Sequence, residues 1–334
     1  MSRTLYERCC HLLAELDLLP DGAQVTAKAL SGGVASDIAK VTVGERIYCI
    51  KFALAKLRVK ADWFAPVERN YAEYRWLKAA SEIAPETALA LYGHSASENG
   101  FAMAYLEGDN IYLLKDALLS AKGTHAQASA IGSLLGKIHA ASSMPDFDRS
   151  PFHNRDDFYA LRLEPYLIYT SDQHSDLAPH LRHMSALLYE ADTVLVHGDV
   201  SPKNIIFDSH QPYLLDAECA TMGDGVFDIA FCLNHYVLKA VAVPQRCDDY
   251  LGYCAAFWQA YEPFITWEEP QKMAQRLALL LPMLMLARID GKSPVEYFND
   301  AQRDKVRQLA RRLISASHQD IHRLFEEIKQ GLHP

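Results

Sequence analysis

Two short apolar runs surround a dense group of polar residues in the middle of the chain, and this stretch constrains the fold most. Thr193 to Val196 and Tyr213 to Leu215 have the length of buried strands, and Ile205 to Phe207 forms a third. Between and after these runs lie polar residues at tight spacing: His197, Asp199, Lys203, Asn204, Asp216 and Glu218. Carboxylate and amide oxygens at strand ends suit Mg²⁺, and a carboxylate that binds no metal can accept a proton from a hydroxyl. The stretch therefore predicts a site for phosphoryl transfer.

Composition and charge narrow the class of protein. The 334 residues are 50% hydrophobic and 22% charged, which is typical of a globular protein with one large or two modest domains. A net charge of −9 argues against a nucleic-acid partner, because binding phosphates requires a basic face. The longest apolar run, Leu277 to Ala287, is too short to span a membrane and contains Pro282. Charged residues interrupt the apolar positions of residues 5–19, and no cysteine pair has metal-binding spacing, so we expect a cytoplasmic protein with reduced thiols.

Hydrophobic periodicity predicts a sheet in the N-terminal third and helices in the remainder. A helix over residues 4–19 is followed by three antiparallel strands, and two further strands lie beyond a helix at 66–80. The predicted strands are 24–30, 37–43, 47–53, 88–92 and 101–106. Helices are predicted at 124–141, 156–169, 175–191, 229–240, 247–261, 268–288, 299–315 and 319–331.

Lys51 is the only charged residue within the apolar third strand. A lysine on an otherwise buried strand usually has a partner or a function. The alternative is a lysine on an edge strand that faces solvent. Upstream, the turn that contains Ser31, Gly32 and Gly33 has the small residues that allow close approach to phosphate groups, although a glycine pair in a turn is weak evidence alone.

The central motif carries a family resemblance. The pattern His197-x-Asp199-x-x-x-x-Asn204, followed by Asp216-Ala-Glu and by Gly-Asp-Gly-Val-Phe-Asp at 223–228, resembles the aminoglycoside phosphotransferases and choline kinases. These are small-molecule kinases of the protein-kinase-like superfamily. Position 198 is Gly, where protein kinases carry Arg, and the segment from Asp216 to residue 228 is too short to order a peptide substrate.

The resemblance implies an α+β, two-lobed fold. Residues 1–107 would form a nucleotide-binding lobe with an antiparallel sheet and a helix, and residues 108–334 a larger, mainly helical lobe for catalysis and substrate binding. It also implies ATP and Mg²⁺ as cofactors, although a preference for ATP over GTP and the oligomeric state stay open.

The resemblance assigns roles to the residues of the central motif. Asp199 would act as the base or orient the hydroxyl, and Lys203 would neutralise the charge of the transferring phosphate. The expected metal ligands are Asn204, Asp216 and Glu218.

The nucleotide would contact the N-terminal lobe. Lys51 would clamp the phosphates and pair with a glutamate of the 66–80 helix, either Glu73 or Glu68. The turn of Ser31, Gly32 and Gly33 would cover the phosphates. Met103 would occupy the gatekeeper position, and the backbone of Ala104 and Leu106 would bind the adenine edge.

The acceptor is expected to be a hydroxyl compound, with an aminoglycoside-like molecule or amino alcohol as first prediction. Carboxylates of Asp224, Asp290 and Glu296 near the predicted cleft would pair with its ammonium group. A kinase of sugars or nucleosides is the alternative within the same class. An inactive regulatory protein that binds nucleotide is the alternative from another class.

Overall fold

The N-terminal part of the chain contains a five-stranded antiparallel sheet. The computed structural model describes residues 3–30, 36–56, 58, 66–316 and 320–332. The strands are β1 (Val25–Ala29), β2 (Ser36–Val43), β3 (Arg46–Ala53), β4 (Leu91–Ser95) and β5 (Gly100–Ala104). They lie in the order β1-β2-β3-β5-β4, so β3 is central and pairs with β2 and β5. All five strands were predicted, and β4 begins three residues later than expected.

Helix α1 (Leu5–Glu15) covers one face of this sheet. Thr4 and Glu7 form a capping box that fixes the start of the helix. The buried residues of α1 pack with alternate residues of the strands, including Ile50 and Phe52. Because successive strand residues point to opposite faces, Lys51 points away from α1.

Helix α2 (Arg69–Ile83) contacts β3, β4 and β5, and its Trp76 and Leu77 belong to the main core together with Cys49 of β3. Lys51 and α2 therefore lie on the same side of the sheet. This placement allows a side chain of α2 to reach the lysine.

The rest of the chain is mainly helical. Its first elements are β6 (Ile111–Leu113), α3 (Leu114–Leu119), α4 (His125–Ser142), α5 (Arg155–Phe158), a π-helical segment (Tyr159–Ile168), α6 (Tyr169–Gln173) and α7 (Ala178–Glu190). The strands β7 (Val194–Val196), β8 (Ile205–Asp208), β9 (Gln211–Leu214) and β10 (Thr221–Gly223) follow. The last helices are α8 (Val226–Ala242), α9 (Cys247–Tyr261), α10 (Pro270–Asp290), α11 (Asp300–Ala316) and α12 (Ile321–Leu332). This arrangement confirms the predicted α+β, protein-kinase-like fold class.

Two small antiparallel sheets carry the central motif. Strands β6, β8 and β9 form one sheet, and β7 pairs with β10 in the other. The loop with His197, Asp199 and Asn204 connects β7 to β8, and Asp216 lies just beyond β9. The lobe boundary predicted near residue 107 falls between β5 and β6, and it stays a prediction.

The helix predicted for residues 156–169 is irregular. Its central part, Tyr159–Ile168, is a π-helix that contains Pro165. The predicted helix is present, but it cannot keep regular α-helical bonding, because Pro165 has no N–H to donate and its ring clashes with the carbonyl four residues earlier. Long π-helical segments are rare and are often found at functional sites.

Helix α10 contains the longest apolar run, and this run is almost entirely buried. None of the helices among the described residues combines the length and the apolar character that crossing a membrane requires.

Candidate active site

The loop between β7 and β8 is fixed by a buried carboxylate of α8. Asp228 accepts hydrogen bonds from the backbone N–H groups of His197 and Gly198, each at 2.7 Å. His139 of α4 lies 3.4 Å from the same carboxylate and bonds the Tyr261 hydroxyl through its other nitrogen. Asp228 therefore anchors the loop, and His139 is a core residue that supports it.

Glycine is required at position 198 for two reasons. Its φ is +81°, and an added Cβ would lie 2.6 Å from the Sγ atom of buried Cys219. The arginine that protein kinases carry at this position does not fit here.

Asp199 lies in this loop beside two cations. Its Oδ2 is 3.1 Å from an Arg162 nitrogen and 3.3 Å from Lys203 Nζ, and only 6% of the residue is exposed. Burial alone would raise the pKa of Asp199, but Lys203 and Arg162 lower it below its usual range. The carboxylate is therefore ionised at neutral pH.

Arg162 was not predicted from the sequence. It projects from the π-helical segment, donates to the Gly198 carbonyl, and lies 6.0 Å from the ring of Phe231. Burial alone would lower the pKa of its guanidinium. Cys219 and Asp199 outweigh this effect and raise the pKa above its usual value, so the charge is retained. The one signal in the sequence was an arginine between two apolar residues, Leu161 and Leu163.

Lys51 forms the centre of a second cluster. Its Nζ lies 2.6 Å from Glu73 and 3.2 Å from Glu218, and it also contacts Asp216. Burial alone would lower the pKa of Lys51, but these carboxylates raise it well above its ordinary value. Of the two glutamates considered, Glu73 makes the contact. Glu68 lies at the N-terminal boundary of α2 and makes no side-chain capping bond.

The carboxylates outnumber the cations around Lys51. Oxygens of Glu73, Asp216 and Glu218 all lie within 4.8 Å of one another. The pKa of Glu73 is raised to about 7, chiefly by burial. The attraction of Lys51 lowers this pKa, and the repulsion of Asp216 raises it. An additional cation would relieve this repulsion.

Both oxygens of Glu218 already accept hydrogen bonds from protein groups. Arg69 donates to Oε2 at 2.9 Å, and the Ser36 hydroxyl donates to Oε1 at 2.5 Å. Arg69 is itself buried and also donates to the Pro66 and Leu54 carbonyls. Glu218 therefore connects β2 and α2 to the segment that follows Asp216.

Asn204 and Asp216 provide the oxygen donors that suit a divalent cation. The Asn204 amide nitrogen donates to the Asp199 carbonyl at 3.1 Å, which leaves its amide oxygen as an acceptor. The Asn204 carbonyl accepts from Leu215 N–H at 2.9 Å, so this residue lies next to Asp216. The Asp216 side chain is 32% exposed, and its φ of +71° is strained, as at many functional sites. Desolvation would raise the pKa of Asp216, but Lys51 and Lys203 lower it.

The predicted nucleotide contacts are only partly described. Ser31, Gly32 and Gly33 lie outside the described residues. Met103 is buried in β5 opposite Cys49. The Ala104 N–H donates to the Ala90 carbonyl at 2.8 Å, so only the Ala104 carbonyl can serve a base. Within the part of the chain that the structure describes, no backbone acceptor pairs with the Leu106 N–H.

Known proteins share this fold over nearly the full chain. A choline kinase from Cryptosporidium parvum aligns with a TM-score of 0.58 and 12% identity over 97% of each chain. An ethanolamine kinase from Plasmodium vivax gives 0.52 and 14%, over 94% of this chain and 88% of that one. An ADP-bound aminoglycoside phosphotransferase gives 0.50 and 17%, over 96% and 99%. These low identities show the fold.

The family is established by the sequence itself. A search of curated proteins finds no match. Residues 26–271, well over half of the chain, match the phosphotransferase enzyme family. This range includes both clusters and the loop that Asp228 anchors. The chain therefore belongs to the phosphotransferase enzyme family and is a small-molecule kinase with a hydroxyl group as acceptor.

Proposed function

We propose that the protein uses Mg²⁺ and transfers the γ-phosphate of ATP to a hydroxyl of a small molecule. The ionised Asp199 in a loop fixed by Asp228, next to the Lys51 cluster, carries this proposal. The acceptor oxygen would attack the γ-phosphorus as the bond to ADP breaks, and the hydroxyl proton would pass to Asp199. Because the pKa of Asp199 is low, its first task is to orient the hydroxyl, and it accepts the proton late.

The cations around Asp199 have separate roles in this proposal. The side chain of Lys203 is 53% exposed, and its charge acts on both Asp199 and Asp216. Lys203 would therefore neutralise negative charge on the phosphoryl group as it is transferred. Arg162 holds the Gly198 carbonyl and the Asp199 carboxylate in fixed geometry.

Asn204 and Asp216 would hold the metal, which would supply positive charge that neutralises the phosphate groups. Glu218 would add negative charge beside it while its oxygens keep Arg69 and Ser36 in place. Lys51 would exchange its contact with Asp216 for the nucleotide phosphates and keep Glu73 as its partner.

Further nucleotide contacts are proposed for the N-terminal lobe, residues 1–107. Ser31, Gly32 and Gly33 would cover the phosphates. The Ala104 carbonyl and Leu106 N–H would bind the adenine edge behind Met103. One structural relative, an aminoglycoside phosphotransferase, has ADP bound, which supports this part of the proposal.

The carboxylates expected to bind an amine-bearing acceptor are engaged elsewhere. Asp224 pairs with Arg276 at 2.6 Å, and Asp290 pairs with Arg307 at 2.8 Å. Glu296 is exposed on the surface. An aminoglycoside-like or amino alcohol acceptor is therefore supported only by the resemblance to those kinases. Sugars and nucleosides stay as alternative acceptors.

Two measurements test the proposed function. Thermal unfolding with ATP, with and without Mg²⁺, should show stabilisation that depends on the metal. ADP release should then rise on addition of a small hydroxyl compound, with Asp199→Asn as the matched inactive control. Metal-dependent stabilisation without transfer to any compound would favour the inactive regulatory protein. Labelling of protein substrates alone would refute a small-molecule acceptor.

A further inference from the structure

Lys239 is a buried cation without a counter-charge. It lies near the end of α8, only 3% exposed. Within the described ranges, no carboxylate lies within salt-bridge distance of its ammonium group. The ammonium nitrogen lies 5.9 Å from the centre of the Tyr297 ring. Lysines are almost never buried unless they are paired, because desolvating the charge is costly.

Arg288, near the end of α10, provides a second cation on the helix that packs against α8. Its carbonyl accepts a hydrogen bond from Val295 N–H at 2.9 Å, two residues before the tyrosine that Lys239 faces. Its guanidinium donates to the Ser293 carbonyl and hydroxyl, but its Nε is buried with no hydrogen-bond partner among the described residues. No carboxylate among the described residues forms a salt bridge with it either. Burial, followed by the charges of Lys115 and Arg288, lowers the pKa of Lys239 to about 8. The positive charge of Arg288 therefore disfavours the charged form of Lys239.

Side chains on one face of α8 lead from Lys239 towards Asp199. Phe231, His235 and Lys239 follow one another at intervals of four residues and share one face of α8. Arg162, which touches Asp199, lies 6.0 Å from the Phe231 ring, and His235 lies 5.4 Å from the same ring. Phe231 and Lys239 are separated by about 12 Å along the helix axis. The cations therefore lie about two helical turns from the Asp199 end of this face.

The contact with Tyr297 does not account for the buried charge. Tyr297 is 42% exposed, and a cation–π contact at an exposed site contributes about 0.5–1 kcal/mol. The chain as a whole is acidic, with a net charge of −9. Lys239 and Arg288, which form no salt bridge with any carboxylate that the structure describes, therefore indicate a negatively charged ligand that is supplied from outside.

We infer that the acceptor carries an anionic group, a carboxylate or a phosphate, that binds between Lys239 and Arg288 while its hydroxyl reaches Asp199. This inference rests on the proposed function and names the class of its acceptor. An ammonium group at the same end would face two positive charges, so amino alcohols without an acid group are disfavoured. Neutral sugars would leave both cations unpaired.

Binding without nucleotide tests the anion site independently of transfer. The probes are glucose, glucosamine, glucuronate and glucose 6-phosphate, which share a sugar hydroxyl set and differ in charge. Isothermal titration at pH 7 should show at least tenfold tighter binding of one anionic probe than of glucose. Lys239→Met should remove this preference, whereas Lys239→Arg should retain most of it and Lys122→Met, at an exposed lysine, should have no effect. Glucuronate and glucose 6-phosphate distinguish a carboxylate from a phosphate.

ADP release with the same probes separates the two proposals. If the anionic probe is also the better acceptor, and Lys239→Met raises its KM without changing the KM for ATP, both proposals stand. Anion binding through Lys239 without transfer to any probe would leave the anion site and refute the proposed function. Transfer to glucose or glucosamine in preference to the acids, unchanged in Lys239→Met, would overturn the inference and leave the kinase standing.

Discussion

Replacing Lys239 with Met should stabilise the protein at pH 7 while it weakens binding of an anionic acceptor. Met keeps a buried apolar stem and removes the charge. The pKa of Lys239 falls from 10.5 to about 8 in the folded chain. Since one pKa unit corresponds to about 1.4 kcal/mol, the folded state carries a penalty of about 3 kcal/mol for this charge. With an unfolding entropy of about 2.1 cal/mol/K per residue, the gain corresponds to a Tm rise of about 4 °C for 334 residues.

The pH dependence of stability provides a second test of whether Lys239→Met stabilises the protein. Because the folded pKa lies below the unfolded one, the unfolded chain binds more protons between pH 8 and 10.5. Stability of the native sequence should therefore rise relative to the variant across this window, and the advantage of Lys239→Met should fall towards zero. The neighbours that act on Lys239, namely Lys115, Arg288 and Cys232, are the same in both proteins.

The assay is urea unfolding followed by circular dichroism at pH 7, 8 and 9.5. Lys122→Met should leave the free energy of unfolding unchanged at every pH, and Lys239→Arg should give no gain, because it retains the charge. A variant Lys239→Met that is less stable than the native sequence by 1 kcal/mol or more at pH 7 would refute the reasoning. It would mean that the lysine already has a partner in the ligand-free protein.

Three further predictions concern the loop and the metal. Asp199→Asn should lower kcat by about 10²- to 10⁴-fold with little change in ATP affinity, and retention of most activity would contradict its role. Asp216→Ala should abolish the Mg²⁺-dependent part of stabilisation by ATP in thermal unfolding, so an intact shift would place the metal elsewhere. Gly198→Ala should destabilise the fold by about 1–2 kcal/mol or more, because φ is +81° and the new Cβ would meet Cys219 at 2.6 Å; an unchanged Tm would contradict this.

Local patterns predicted most of the secondary structure. Helix α9 was predicted at its observed bounds, and the strands around the central motif were placed within one or two residues. These segments have strong periodicity or clear turn residues at their ends. The π-helical winding was not predicted, because the helical pattern of residues 156–169 was interpreted without the effect of Pro165.

The site was predictable where its residues belong to a motif or are the one charge on an apolar strand. Lys51, Glu73 and Asp216 do form one cluster, although their sequence spacing alone left Glu68 open as a partner. Arg162 and Arg69 could not be found, because their partners are distant in the sequence and a single buried arginine gives no periodic signal. The roles of all these residues stay predictions.

The carboxylates that were predicted to form an ammonium-binding pocket show what sequence position cannot reveal about a charge. Asp224 and Asp290 were selected for their position in the sequence, and each proved to pair with an arginine of a neighbouring helix. A sequence shows which charges exist but not which are already neutralised. Lys239 was overlooked for the same reason, since the sequence showed only that it lies within a predicted helix, residues 229–240.

Helix α8 fixes the distance between the two ends of the acceptor in the proposed complex. Asp228 in its first turn sets the position of the loop that holds Asp199, and Lys239 in its last turn sets the position of the anion in the proposed complex. These residues are separated by about 16 Å along the axis of a rigid, buried element. The backbone of α8 would therefore set the distance that an acceptor needs between its hydroxyl and its acid group. Substitutions in surface loops would change how tightly an acceptor binds, but only a change in the length of this helix would change which length of acceptor fits.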